Sequence, residues 1–159
     1  MNWTVTALTE FVQRLMSKSN PVKPCFNVEN TSAQANVTGD GTTYTVTFAT
    51  TIFDQHGDWD GTNTFTAPVT GRYLFSFKVM FEQLAGTSTS GNLVTSNKTY
   101  VLHRENGTEA AIGGHMVHGS LLVDMDAGDT ASVSVQEAGG AKTTDVSNAA
   151  SHFSGALIS

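Results

Sequence analysis

Three aspartates and an asparagine crowd one stretch of the chain, Asp54-Gln55-His56-Gly57-Asp58-Trp59-Asp60-Gly61-Thr62-Asn63. Hard oxygen ligands at alternate positions are a means of holding Ca²⁺, although the EF-hand register is not met because no Glu follows at the twelfth position. Asp, Asn and Gly are equally the standard residues of polar turns. A third reading makes Asp54, Asp58, Trp59, Asp60 and Asn63 a binding site. The indole would be a stacking platform for a sugar or a receptor, and the carboxylates would accept from hydroxyls. All three readings stay open at the level of residue types.

Other chemistry-bearing residues are less telling. His115-Met116-Val117-His118 invites a metal reading, but residues three apart on a strand point to opposite faces. One chain is not expected to bring those two imidazoles together, and no metal site is assigned. Cys25 follows a proline and lacks any local motif for a nucleophile, so an inert thiol is expected. Asp124, Asp126 and Asp129 read as the shapers of a tight turn. The chain contains no P-loop, nucleophile elbow or zinc-protease motif, and it is read as a non-enzyme.

These residues must be positioned mainly by strands. Period-2 alternation runs through Phe26 and Val28, through Tyr44, Val46 and Phe48, and most clearly through Tyr73, Phe75, Phe77, Val79 and Phe81. It continues through Tyr100 and Leu102, Leu121 to Met125, Ala131 to Val135, and Phe153 to Leu157. Gly39-Asp40-Gly41, Asp60-Gly61, Asn106-Gly107, Gly128-Asp129 and Gly139-Gly140 supply turns between them. One buried and one polar face per strand is the pattern of an antiparallel sheet. Eight or more such strands imply a β-sandwich or jelly roll.

The N-terminus differs. Val5, Leu8, Val12 and Leu15 recur at helical spacing within residues 2–18. We read residues 1–20 as a helix that forms a trimeric coiled-coil stub, with docking on the chain's own sheet as the alternative. Residues 21–25, with Pro21 and Pro24, read as an extended linker, and 26–159 as the globular domain.

Composition agrees with this organisation. In 159 residues only 14% are charged, against roughly 25% in soluble domains generally, and Thr, Ser, Asn and Gly make up the polarity. A net charge of −6 argues against nucleic acid, whose binding relies on Lys and Arg. One cysteine excludes an intrachain disulfide framework. The chain has no run of apolar residues long enough to span a bilayer. Glu10, Arg14 and Lys18 interrupt the first apolar stretch, so no signal peptide is expected.

The stretch Phe48…Asp54…Trp59…Phe65…Gly71-Arg72-Tyr73-Leu74-Phe75-Ser76-Phe77 resembles the signature of the complement C1q globular-head family, with Trp59 to Phe65 one residue short. Phe65-Thr66-Ala67-Pro68-Val69-Thr70-Gly71, Asp126-Ala127-Gly128-Asp129 and Phe153-Ser154-Gly155-Ala156-Leu157 are similar to three further anchors of that family. The resemblance implies an all-β, ten-stranded antiparallel jelly-roll sandwich of the C1q and tumour necrosis factor type, here preceded by the short helix. It also implies a homotrimer in which some apolar side chains face a three-fold axis.

There is no Gly-X-Y run and there are no paired cysteines, and the chain is poor in charge. On these grounds it looks like a bacteriophage fibre or tail-tip module. Such a module would be assembled in the host cytoplasm, built into a virion beside other fibre proteins, and present loops to a host-surface glycan or protein. A purely structural trimerisation or decoration module is the alternative, and a glycan-degrading fibre tip a more distant one. No cofactor is expected beyond the Ca²⁺ reading of the 54–63 loop. The Gly- and Ser-rich stretches 85–97 and 139–151 are further candidate binding loops.

Overall fold

The computed structural model describes residues 23–107, 114–148 and 150–159. The expected helix over 1–20, with Val5, Leu8, Val12 and Leu15, lies outside them. The described chain contains twelve strands and no helix: β1 (Cys25–Glu29), β2 (Gln34–Thr38), β3 (Thr43–Thr45), β4 (Thr50–Asp54), β5 (Phe65–Thr66), β6 (Gly71–Glu82), β7 (Ser88–Thr95), β8 (Thr99–Asn106), β9 (His115–Met125), β10 (Thr130–Ala138), β11 (Thr144–Val146) and β12 (His152–Leu157).

They form two antiparallel sheets. In the first, β6 is the spine. One edge pairs with β9 along its length, from Gly71↔Met125 to Phe81↔His115. The other edge is shared end to end by β12 and β11. Beyond β12 lie β1 and then β4, and beyond β11 lies β2. The second sheet runs β8, β7, β10, with β3 and β5 sharing the far edge of β10. This is a jelly-roll sandwich with β9 and β8 at neighbouring open edges.

The count of twelve, where ten were expected, has a local cause on that shared edge of β6. Between β11 and β12 the ladder is interrupted, and the Met80 N–H donates to the Ser151 hydroxyl at 3.0 Å instead of to a strand carbonyl. A two-residue β5 adds another short segment.

Alternation along β6 turns Tyr73, Phe75, Phe77, Val79 and Phe81 inward, and each is buried. They meet Phe26 of β1 and Phe153 of β12, whose rings lie 5.1 Å apart edge-on. Burial of such aromatics, each removing about 150–250 Å² from water, is the main force holding the two sheets together. The Tyr73 hydroxyl avoids an unmet polar group by donating to the Val69 carbonyl at 2.8 Å.

Much of the expected 85–97 loop is strand β7. Its Ser, Thr and Gly residues hide the pattern, yet Thr89, Leu93 and Thr95 are buried. Gly91 is there for close approach: a Cβ at this position would lie 3.0 Å from a ring carbon of Phe77. Likewise 139–151 contains β11. At the other end, Lys23 and Pro24 of the expected linker are already tied to the sandwich. The Leu157 N–H donates to the Pro24 carbonyl at 2.9 Å, and the Lys23 ammonium donates to the Ile158 carbonyl at 2.6 Å.

Candidate functional site

Three places hold the residues that could act: the 54–63 loop, the outer face of the β6 sheet, and the seam between β8 and β9.

In the loop, the chain leaves β4 at Asp54 and returns through a bridge between Trp59 and Phe65. Asp54 organises the first half. Its Oδ1 accepts the N–H groups of Gly57 at 3.1 Å and Asp58 at 3.2 Å, and its Oδ2 accepts that of Trp59 at 3.0 Å. Asp60 organises the second half, its Oδ1 accepting the N–H groups of Thr62, Asn63 and Thr64 at 2.8, 2.9 and 3.0 Å. Burial pushes the Asp60 pKa up, but these backbone bonds outweigh it and hold the carboxyl below its ordinary value. The Asn63 Oδ1 accepts the Thr64 hydroxyl at 2.8 Å.

Both oxygens of Asp54 and the Oδ1 of Asp60 are therefore engaged by their own turn. The three aspartates do not gather ligand atoms around one point; among the described residues a different cluster does so. Asp58 is different again. Its Oδ2 is buried without a partner, and burial first, then the charge of Asp54, pushes its pKa up. Trp59 is only 7% exposed, and its ring stacks on Phe26 at 5.4 Å. An indole placed there packs the core and offers no open face to a sugar. The exposed part of the loop is Gln55, His56, Gly57, Asp60, Gly61 and Thr62.

The turn over Asp126 to Asp129 forms as expected. Asp129 accepts the Ser96 hydroxyl at 2.7 Å, the Asn97 amide at 2.8 Å and the Asp126 N–H at 2.9 Å. Asp124 stays on the strand, in register with Arg72.

The outer face of the β6 sheet carries an apolar row that sequence periodicity does not flag. Leu74 of β6 pairs with Leu122 of β9 on one side and Ala156 of β12 on the other, and Ala156 pairs with Cys25 of β1. Phe53 of β4 adjoins them in a shallow groove with Cys25, Leu74 and Ala156. Leu74 is 44% exposed, Phe53 46% and Leu122 50%. Beside them lie small residues, with the Ser120 hydroxyl donating to that of Ser76 at 3.1 Å. The strand pattern puts these side chains outward, as it does polar ones; only the register shows that they form one continuous patch.

At the seam, alternation places His115 inward and His118 outward on β9, as expected for a strand. A third histidine changes the outcome. His103 of β8 packs against both, with ring centres 5.8 Å from His115 and 5.7 Å from His118. Its Nε2 is buried without a hydrogen-bond partner. Burial first, then His115 and His118, holds its pKa below the ordinary value, with Glu105 acting the other way. Sequence reasoning missed His103 and Glu105 because their approach to His115 depends on the placement of β8 beside β9.

Residues 25–158 match the C1q domain family. This match spans most of the chain, and the anchors that carry it occupy structural positions seen above. The chain belongs to the C1q domain family. No curated protein sequence matches it. Among solved structures, this C1q domain is similar to the globular domain of the zebrafish complement 1qA protein. The identity is 20%, covering 86% of this chain and 98% of that one, with a TM-score of 0.61. It is also similar to murine APRIL, at 11% identity over 86% of this chain and 99% of that one, with a TM-score of 0.60. At such identities the likeness is one of fold: a C1q/TNF-like jelly roll.

The family's anchors have visible work in this C1q domain. Trp59 and Phe65 bridge strand to strand, so the spacing that is one residue short still brings the two aromatics together. Gly155 lies under rings, where a Cβ would be 2.6 Å from Phe26 and 2.7 Å from Phe75. Domains of this C1q/TNF-like type typically assemble as trimers.

Proposed function

We propose that this C1q domain is a non-enzymatic homotrimeric module of a virion fibre or tail tip, which locks three chains together and presents loops to a host surface. The observation that carries the trimer is the apolar row Phe53, Leu74 and Leu122 on the outer face of the β6 sheet. Large apolar side chains that converge on one exposed face, flanked by small ones, mark a protein interface. The self-assembly habit of C1q/TNF-like domains makes a second and third copy of the chain the occupant. The fibre reading rests on composition: strand faces covered by Thr and Ser and a chain poor in charge suit copies packed around an axis.

Three copies of each loop around one axis would give multivalent attachment, so a weak single-site affinity suffices. The exposed residues of the 54–63 loop, Gln55 to Gly57 and Asp60 to Thr62, are the part able to meet a receptor. The same loop supports a second reading. Asp54 and Asp60 are engaged by backbone N–H groups and Trp59 is buried, as suits a purely structural trimerisation or decoration module.

Sedimentation velocity at micromolar concentration tests the assembly: a single trimeric species is expected, and a monomer overturns the proposal. Binding of the assembled protein to host cells and to a glycan array separates the two readings. Selective binding weakened by Asp60→Ala or His56→Ala supports attachment, and its absence supports the structural module.

A further inference from the structure

Among the described residues, one group of side chains brings three metal-ligand atoms together: a ring nitrogen of His103, a carboxylate oxygen of Glu105 and a ring nitrogen of His115 lie within 4.8 Å of one another. Glu105 Oε2 is 3.3 Å from His115 Nε2 and 3.8 Å from His103 Nε2. Two ligands of a tetrahedral zinc ion, each bound at about 2.0–2.1 Å, are separated by about 3.3 Å. The pair His115–Glu105 already has that spacing, and His103 lies somewhat farther out, 3.8 Å from the carboxylate, so its ring must move inward to complete the set. Two imidazoles and one carboxylate favour zinc over calcium, which takes oxygen ligands.

The backbone is arranged for this meeting. In the β7–β8 ladder Gly91 pairs with His103 and Asn92 with Val101, so Leu102 is an extra residue on β8. Such a bulge re-aims the side chains beyond it. Tyr100 and Leu102 pack against the core, whereas His103 and the exposed Glu105 approach His115 of β9. Close approach of the two strands is permitted by Gly119, where a Cβ would sit 2.5 Å from Leu102 Cβ. A buried Nε2 without a partner on His103 is a costly feature unless something binds it. The buried Thr89 is 3.1 Å from His115 Nε2 and shares a hydrogen bond with it, which a metal there would displace.

We propose that His103, Glu105 and His115 form a zinc-binding site that clips β8 to β9. These two strands are neighbours but belong to different sheets, with no ladder between them. A metal there would tie one sheet to the other across the open side of the sandwich, with a fourth position left for water or for a group from outside the chain. The role is a structural or attachment one, independent of the trimer and of any receptor loop.

The test uses tag-free protein stripped with chelator and titrated with Zn²⁺ by calorimetry. We expect one zinc per chain and, with zinc at about a hundred times its dissociation constant, a melting point raised by about 5–10 °C. Glu105→Gln, at a half-exposed position, is expected to weaken binding by roughly tenfold or more. His103→Ala combined with His115→Ala is expected to abolish it, and His118→Ala to leave it within about threefold. Co²⁺ in place of zinc is expected to give the visible absorption of a tetrahedral site. Failure of the parent protein to take up zinc at micromolar concentration overturns the proposal. So does unchanged affinity in Glu105→Gln with an unchanged metal-free melting point, a readout that holds even where the double variant does not fold.

Discussion

The carboxylate of Glu137 reaches across the end of the sandwich to accept the backbone N–H of Gly86 at 2.5 Å. Glu137 is wholly buried, and its other oxygen takes the Thr144 hydroxyl. Its main chain is engaged too: the carbonyl accepts the N–H groups of Gly39 and Gly41, and its N–H donates to the Thr38 hydroxyl. One side chain therefore joins the turn before β7, the end of β10 and β11. Gly86 leaves the room, since a Cβ there would lie 2.8 Å from Glu137 Cγ.

Removal of that side chain leaves the buried Gly86 N–H unmet and leaves the Thr144 hydroxyl only the Gln83 carbonyl, at 3.4 Å. Glu137→Ala is expected to lower unfolding free energy by about 2–4 kcal/mol. Glu137→Gln is expected to cost less, because its carbonyl still accepts from Gly86 and the Thr144 hydroxyl can turn to accept from the amide. Urea denaturation of the three proteins measures both, and equal costs for Ala and Gln would contradict the hydrogen-bond account.

The Asp58 and Asp129 carboxylates respond to acid with opposite signs. Asp58 has its pKa raised above 3.8 by burial and by Asp54, so ionised Asp58 costs stability at neutral pH, and that cost is recovered as pH falls through the raised value. Asp129 has its pKa lowered by the Ser96 hydroxyl first and then by the Asp126 N–H and the Asn97 amide. Its contribution is present above 3.8 and lost as pH falls through the depressed value. Asp58→Asn is expected to raise the melting point at pH 7 by about 1–3 °C, a gain that shrinks toward pH 4. Asp129→Asn is expected to lower it at pH 7, with the difference closing in strong acid. Melting curves from pH 2 to pH 7 check both; a stabilising effect of Asp58→Asn that grows with acid would reverse the assigned sign.

Gly155 sits where β12 crosses beneath the rings of Phe26 and Phe75. Gly155→Ala is expected to cost about 1–3 kcal/mol through overpacking, since ring atoms lie well inside contact distance of the new methyl group. Denaturant unfolding measures it. A neutral outcome would mean that the aromatic cluster can shift as a unit.

Leu74→Glu places a charge at the centre of the outer apolar row, beside Leu122 and Ala156. The side chain is half exposed in the single chain, so folding of the protomer is expected to survive. Association is expected to weaken by at least roughly tenfold per interface, since a buried unpaired charge replaces buried apolar area. Sedimentation equilibrium reads the change. A trimer as tight as the parent would move the interface elsewhere on the molecule.

Much of the fold was legible before any coordinates. The alternation from Tyr73 to Phe81 and the turn at Asp126 to Asp129 appear where strand physics puts them. Residues 88–95 were not legible, because Ser, Thr and Gly carry no hydrophobic period and their burial comes from neighbours. The 54–63 loop was legible as a polar turn, but whether Asp54 and Asp60 face a ligand or their own backbone is a question of φ and ψ that residue types leave open.

By itself, then, the amino-acid order determined which residues alternate on strands, which aromatics must be buried, and that the chain has the anchors of a C1q domain. These follow from local rules: a period of two, turn residues with fixed conformational tastes, and apolar area that must leave water. Tertiary structure alone decided that Trp59 packs on Phe26, that Phe53, Leu74 and Leu122 share an open face, and that His103 meets His115. Each of these depends on strands far apart in sequence and on their register. A single extra residue at Leu102 turns His103 and Glu105 toward β9, and a shift in pairing of that kind leaves no mark in hydrophobic periodicity.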